Sequence, residues 1–430
     1  MFRYTENQSK IWQLKKGMTV MTKPLEHVRI LDLTQFLAGS YCTMILAGMG
    51  AEVIKIERPG TGEPARSTPP FAGPKGVHVA RQTPEDISLS ILKRCRGKKA
   101  ITLNLRTPEG KELFLKMVEK ADVVVENYRP GTMEKLGLDY PVLAKANPAI
   151  VYCSLTGFGV IEAYKNLPAF DIVIQAMSGA MSVNGHSDGP PTKMGLGIAD
   201  EGGGLFACIG ILAALEYSRK TGQGQQINVS MMESVLSMLM DEAPDFWLTQ
   251  GIPLRSGNRL TRLTPFNAYQ ASDGYFVIAS GSNAHWEGIL KAMGREDLIG
   301  DERYADISDR VKCADEVDAI INNWAKTVTV KEALAALNEH TIPCAPVREI
   351  PEVYADEHLI ESGAILNVKH PTCGEISSLK AAGNPIHFSL ADTNFTDTAP
   401  TVGEHNFEIY QEICGLSEEQ VKDLMEKKII

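Results

Sequence analysis

The feature that most narrows the possible folds is a regular alternation of short apolar runs with helical stretches between residues 28 and 155. Residues 28–33 read as a strand, 39–48 as a helix of small and apolar residues, and 51–56 as a second strand. Further strands are predicted at 100–105, 122–125 and 150–155, with a helix from Pro108, suited to a first helical turn, to about Lys120. Strands separated by crossover helices must run parallel, so the chain is expected to form an α/β doubly wound sheet. Such sheets bind ligands beyond the carboxyl ends of their strands, which brings Glu126, Asn127 and Tyr128, and then Thr156 and Gly157, into the candidate site or leaves them as satisfied turns. The first turn reads Ala38-Gly39-Ser40 in place of the three-glycine dinucleotide fingerprint, which argues against a nicotinamide or flavin site even though Glu57 lies near the position of a ribose-binding acid. Arg58, at the end of the second strand, suits a phosphate or a solvated strand end.

Residues 59–96 are rich in glycine, proline and polar residues and are expected to form a long irregular binding loop. Lys93, Arg94, Arg96, Lys98 and Lys99 follow, either as a clamp for a phosphorylated ligand or as a solvated charge run. A helix start is predicted at Asp171, with the apolar Phe170 just before it.

The second constraint is the stretch Gly195 to Phe206. Asp200 stands before an apolar segment that ends in Arg219, Lys220 and Gly222, so it is predicted at or next to the N-cap of a buried helix. There, backbone amides and the helix dipole would favour its ionised form. Gly202, Gly203 and Gly204 would expose amides able to stabilise an oxyanion, or simply allow close helix packing. A strand at 226–230 and a Met-rich helical stretch from Met231 to about Gln250, interrupted near Pro244, continue the core. Past Gly251 the elements shorten: a strand at 275–279 and helices at 283–293, 302–326 and 329–340 are expected to form a smaller α+β domain. A hairpin within 364–389 and short helices near 406–414 and 417–427 follow.

Composition excludes several classes of function. With 430 residues and a net charge of -10, the chain is long enough for two domains and presents no nucleic-acid surface, so any basic site must be local. The eight cysteines show no zinc, iron-sulfur or disulfide spacing, and no metal is expected. No apolar run is expected to span a membrane, and residues 1–20 carry scattered charges, which points to a cytoplasmic protein with an N-terminal extension.

Seven segments together resemble the class III coenzyme A transferases, the family of formyl-CoA transferase, carnitine CoA-transferase and α-methylacyl-CoA racemase. They are Leu31-Asp32-Leu33-Thr34 through Ala38-Gly39, Val53 to Arg58, Thr107 to Gly110, Val125 to Gly131, Ala199-Asp200, Lys220 to Gln225, and Gly403-Glu404-His405. The resemblance implies a Rossmann-like large domain, an inserted smaller α+β domain and an interlocked homodimer. The boundaries expected on that basis are 1–20 as extension, 21–230 as the first part of the large domain, 231–255 as a linker helix, 256–350 as the small domain and 351–430 as the segment returning to the large one. It further implies Asp200 as the catalytic carboxylate, and a CoA site over Phe36, Leu37, Ala38, Arg58, Gly97, Lys98, Lys99, Asn127 and Lys135. Asp171 and Gly202 to Gly204 would form the acyl and oxyanion region. The substrates would be an acyl-CoA and a free carboxylic acid, with no tightly bound cofactor. A racemase and a non-catalytic CoA-binding protein are the alternatives, but racemases of this superfamily place a histidine where this chain has Phe170. Leu37 stands where formyl-CoA transferase has a glutamine, and Ser256-Gly257-Asn258 replaces its tetraglycine loop, so formate and oxalate are not the expected acids. Arg259 and Arg262 would suit the second carboxylate of a dicarboxylate such as a succinate derivative, or would pair with acidic neighbours.

Overall fold

The computed structural model describes residues 23–240, 244–393, 395 and 398–430. The expected extension at 1–20, and part of the helical stretch expected after Met231, lie outside the described residues. Contacts divide the chain into two units. One comprises the residues up to Ser178, Gly195–Leu239 and Glu357–Ile430, and the other Gly179–Met194 and Met240–Asp356.

The first unit is built on six parallel strands: β1 (Arg29–Asp32), β2 (Glu52–Glu57), β3 (Lys98–Thr102), β4 (Val123–Glu126), β5 (Val151–Thr156) and β6 (Gln226–Ser230). Their spatial order is β3-β2-β1-β4-β5-β6, so the direction of winding reverses between β1 and β4. The strands are apolar on both faces because helices cover both. Leu31, Ile54, Ile101, Val124 and Tyr152 join one core cluster with Phe114 and Met117 of α1 (Pro108–Val118). The crossover from β1 to β2 is a helix at Ala38–Gly48, buried at all but one position, and it packs against α2 (Ile198–Thr221). Residues 357–430 complete the unit. A two-stranded hairpin, Ile365–His370 with Gly374–Ala382, precedes α3 (Asn406–Cys414) and α4 (Glu418–Glu426). Asn406 and Tyr410 of α3 bond the backbone of Thr102, at 2.8 and 2.7 Å, and so cover the open edge of β3.

Several expectations are corrected. Strand β3 begins at Lys98 and not at Ala100. The segment 59–96 is not an irregular loop: it holds a short 3-10 helix at Pro64–Ser67, a three-stranded sheet (Phe71–Gly73, Gly76–His78, Ile87–Ser88) and a helix at Leu89–Arg94. The Met231 helix stops at Leu239, and another runs from Pro244 to Thr249. Helix α2 is long and apolar enough to cross a membrane, contrary to the expectation from the sequence, but half of that stretch is buried within the fold. It is not buried all round: Leu205, Phe206, Ile209, Leu212 and Tyr217 form an exposed stripe, with Ile209 62% exposed.

The second unit has a three-stranded antiparallel sheet of Phe266–Gln270, Tyr275–Ala279 and Cys344–Pro346. Helices Asn283–Ala292, Ala314–Ala325 and Val330–Glu339 close over a core that includes Tyr269, Phe276, Trp286 and Leu337. The single helix expected at 302–326 is three pieces, Glu302–Tyr304, Ile307–Lys312 and Ala314–Ala325. The expected linker residues from Met240 onward belong to this unit, as do Gly179–Met194.

Candidate active site

The carboxyl ends of β1, β2, β3, β4 and β5 open into one cavity of about 910 Å³ in the first unit. Its lining includes Phe36, Leu37 and Ala38 after β1, Arg58 after β2, Arg106 after β3, Asn127 after β4 and Gly157 after β5, with Asp200 from the first turn of α2. This is the switch-point crevice that the strand order dictates.

The loop after β1 is held from beneath by buried charges. Asp32 accepts from the Thr34 amide at 2.9 Å and pairs with Lys98 Nζ at 2.9 Å. Burial opposes ionisation of Asp32, but Lys98 and Lys55 beside it hold its carboxyl well below the usual range. Lys55 Nζ donates to the Thr34 carbonyl at 2.9 Å and pairs with Glu63 at 3.0 Å, and Glu63 in turn accepts from the Phe36 amide at 2.9 Å. The Asn127 side-chain amide closes both ends of Gln35, accepting from its N–H at 2.7 Å and donating to its carbonyl at 2.8 Å. These fastenings hold Phe36 at φ 59°, a left-handed conformation unfavourable for a side chain of this size, with its ring edge-on to Phe170 at 5.8 Å.

Asp200 is the third residue of α2 and is not its cap. The capping carboxylate is Asp171, whose Oδ1 accepts from the amides of Ala199 (2.9 Å) and Asp200 (3.3 Å), while its Oδ2 accepts from Gln175 at 2.6 Å. The helix amides that were expected to hold Asp200 as an anion are therefore used by another carboxylate. Burial raises the Asp200 pKa, Asp171 raises it further, Arg94 acts in the opposite direction, and the outcome is a carboxyl pushed up to about 6. The oxyanion role expected of Gly202, Gly203 and Gly204 is also corrected. All three are buried in the second turn of α2, where their amides bond the preceding turn, and their missing side chains permit close packing. A methyl on Gly204 would lie 2.7 Å from the Ala38 carbonyl oxygen, and one on Gly203 would lie 3.2 Å from Leu155.

Of the residues expected to bind CoA, Phe36, Leu37, Ala38, Arg58, Asn127 and Lys135 line the cavity. Lys98 does not: its Nζ is buried against Asp32, Thr43 and the Ser40 carbonyl. Lys99 pairs with Glu52 and Glu408, and Gly97 precedes the opposite, amino end of β3. In the second unit Arg259 is held by Asp315 and Asp318, both at 2.7 Å, because an acidic helix faces it. Arg262 is also engaged. Residues not anticipated from the sequence are Arg106, Arg129, Lys165 and Lys428. Arg106 and Arg129 each sit just past a strand end, a signal available in the sequence, whereas nothing local marks Lys428. Arg58, Arg106, Arg129, Lys135 and Lys428 form no side-chain hydrogen bond or ion pair with a described residue, so a protein of net charge -10 presents five cations free of such bonds around one cavity. That arrangement suits a polyanion. No group of three or more His, Cys, Asp or Glu among the described residues is placed to hold a metal ion.

Comparison with known proteins agrees with this geometry. The chain is 37% identical to a succinyl-CoA:mesaconate CoA-transferase of Haloarcula marismortui over 90% of this chain and 96% of that one. It is 34% identical to a succinyl-CoA–D-citramalate CoA-transferase of Chloroflexus aurantiacus over 95% and 98%. A crystal structure of a CAIB/BAIF family protein from Brucella suis superposes with a TM-score of 0.77 at 32% identity, covering 91% of this chain and 99% of that one. The family model described as CoA-transferase family III matches residues 25–406, and the chain is therefore an enzyme of the family III CoA-transferases.

Proposed function

We propose that the enzyme transfers CoA from succinyl-CoA to a dicarboxylic acid, with Asp200 as the nucleophile. The observation that carries this reading is a half-buried carboxylate on the first turn of α2, with its pKa raised to about 6, lining a cavity whose rim carries cations without a hydrogen-bond or ion-pair partner among the described residues. The relatives use succinyl-CoA with mesaconate or citramalate, both dicarboxylic acids, which supports the choice of donor and acceptor.

The Asp200 carboxylate attacks the thioester carbonyl, forming a mixed anhydride and expelling the CoA thiolate. The thiolate attacks the Asp200 carbonyl, releasing succinate and leaving an aspartyl-CoA thioester. The acceptor carboxylate attacks that thioester to form a second anhydride and again releases the thiolate, which then attacks the acceptor acyl carbon. The products are a new acyl-CoA and free Asp200. Only the ionised carboxylate begins the cycle, so a group with a pKa of about 6 is competent above that pH while remaining less strongly solvated than an exposed aspartate.

The large unit serves as a Rossmann-like CoA-binding domain, with the α+β unit as the inserted domain and no tightly bound cofactor. The exposed apolar stripe on α2 supports burial in an interlocked homodimer, a state read by light scattering, and the enzyme acts in the cytoplasm. Phe170, which lines the cavity, cannot carry a proton, and this disfavours a two-base racemase. The test is to incubate the enzyme with succinyl-CoA, quench with hydroxylamine and map the modified residue by mass spectrometry. Modification at Asp200 is expected; modification elsewhere, or full activity in Asp200→Asn, removes the mechanism.

A further inference from the structure

We propose that Lys428 binds a phosphoryl group of CoA, reaching the cavity from the turn that follows the last helix. The proposal rests on the CoA-transferase reading and adds to it a residue that no segment of the resemblance contains.

After α4 the chain turns back on itself. The amides of Ile429 and Ile430 both donate to the Leu424 carbonyl, at 3.0 and 3.3 Å, and both side chains are buried in the core cluster below β3. The Ile429 carbonyl accepts from the Asn104 amide at 2.7 Å, which ties this turn to the loop leaving β3. Two residues along that loop stands Arg106, and both Arg106 and Lys428 line the cavity. Lys428 therefore does not wave from a frayed end: its backbone is fixed on either side, and its side chain enters the rim beside another cation.

Two costs accompany this placement. Lys428 adopts φ 54°, in the left-handed region where glycine or asparagine would be relaxed. It also adds a positive charge to a rim that already carries Arg106, and its ammonium group has no hydrogen bond or ion pair to any described residue. An anion bound at this rim would meet both cations, and an ammonium group is suited to phosphate as a point charge. The position along the sheet selects the phosphates over the acyl group. Arg106 and Lys428 stand at the end of β3, two strands or about 10 Å from the end of β1 where Phe36, Leu37 and Ala38 enter the cavity. The long flexible arm of CoA separates its thiol from its phosphates over a distance of that order or more, so with an acyl group at Asp200 the nucleotide end can reach the end of β3.

The test is calorimetric titration of wild type, Lys428→Ala, Lys428→Gly and Lys428→Arg with CoA, 3′-dephospho-CoA and pantetheine. Glycine retains the left-handed turn, so it reports on the side chain even where alanine disturbs the fold. Loss of the ammonium group is expected to weaken CoA binding about 3- to 10-fold, the range of one exposed charge-assisted contact. Arginine should restore most of that loss, and pantetheine, which lacks the nucleotide phosphates, should bind all four proteins alike. If the loss persists with 3′-dephospho-CoA the contact is to the diphosphate, and if it vanishes the contact is to the 3′-phosphate. Unchanged CoA affinity in both Ala and Gly variants, or an equal loss with pantetheine, overturns the proposal. A wild-type protein that does not bind CoA at all would instead overturn the CoA reading itself.

Discussion

Replacing Asp200 by asparagine should stabilise the folded enzyme while abolishing its activity, and the size of the stabilisation should depend on pH in a defined way. The folded-state pKa of Asp200 is raised from the ordinary 3.8 to about 6 by burial and by Asp171, against the opposing charge of Arg94. The fold therefore favours the neutral carboxyl. Its contribution to stability is fully present below about pH 4 and is lost as pH rises through about 6. Each pH unit of displacement corresponds to about 1.4 kcal/mol, so the ionised carboxylate destabilises the fold by at most about 3 kcal/mol above pH 7. Partial solvent access and rearrangement around Arg94 reduce this to about 1–3 kcal/mol. Asparagine is nearly isosteric and carries no charge to desolvate. The other titrating groups are common to both proteins and cancel in the difference. Thermal midpoints of wild type and Asp200→Asn, measured at intervals from pH 4 to pH 8, should coincide within about 1 °C at the acid end and separate by a few degrees in favour of the variant at the alkaline end. Turnover should fall at least about 1,000-fold at every pH. A variant no more stable than wild type at pH 8, or a gap of the same size at pH 4, would refute the assignment of Asp200 as a desolvated carboxyl.

Three other outcomes follow from the geometry. Arg94→Gln removes the cation that lowers the Asp200 pKa, so the acid limb of the pH–activity profile should move to higher pH; a shift to lower pH, or none, would contradict the electrostatic account. Gly204→Ala places a methyl 2.7 Å from the Ala38 carbonyl and should cost about 1–3 kcal/mol of stability, whereas Gly202→Ala meets only the flexible end of Met238 and should cost less, as urea or thermal denaturation would show. Lys98→Met leaves the buried Asp32 carboxylate without its nearest cation and should destabilise the fold by about 3–5 kcal/mol; a soluble, fully stable variant with weakened CoA affinity would return Lys98 to the ligand site.

The sequence by itself determined the parallel α/β sheet, because strands buried on both faces are continuous apolar runs that composition and spacing reveal. It also located β6 and α3 at the bounds the structure shows, placed Asn127 and Arg58 near strand ends, where a doubly wound sheet binds ligands, and placed Asp200 at the start of a long helix. What it could not reveal is which charges are used internally. Lys98 and Arg58 read alike in the sequence, yet one is buried against Asp32 and the other faces the cavity, a distinction set by residues 66 positions apart in the case of the Lys98–Asp32 pair. Asp171 and Asp200 both precede apolar helical runs, and only the packing of one helix start against the other decides that Asp171 caps α2 while Asp200, half-buried beside it, has its pKa raised. Lys428 joins the rim through a backbone hydrogen bond between Asn104 and Ile429, more than 300 residues apart, and a contact of that range has no signature in local periodicity because it is made by the closing of the core.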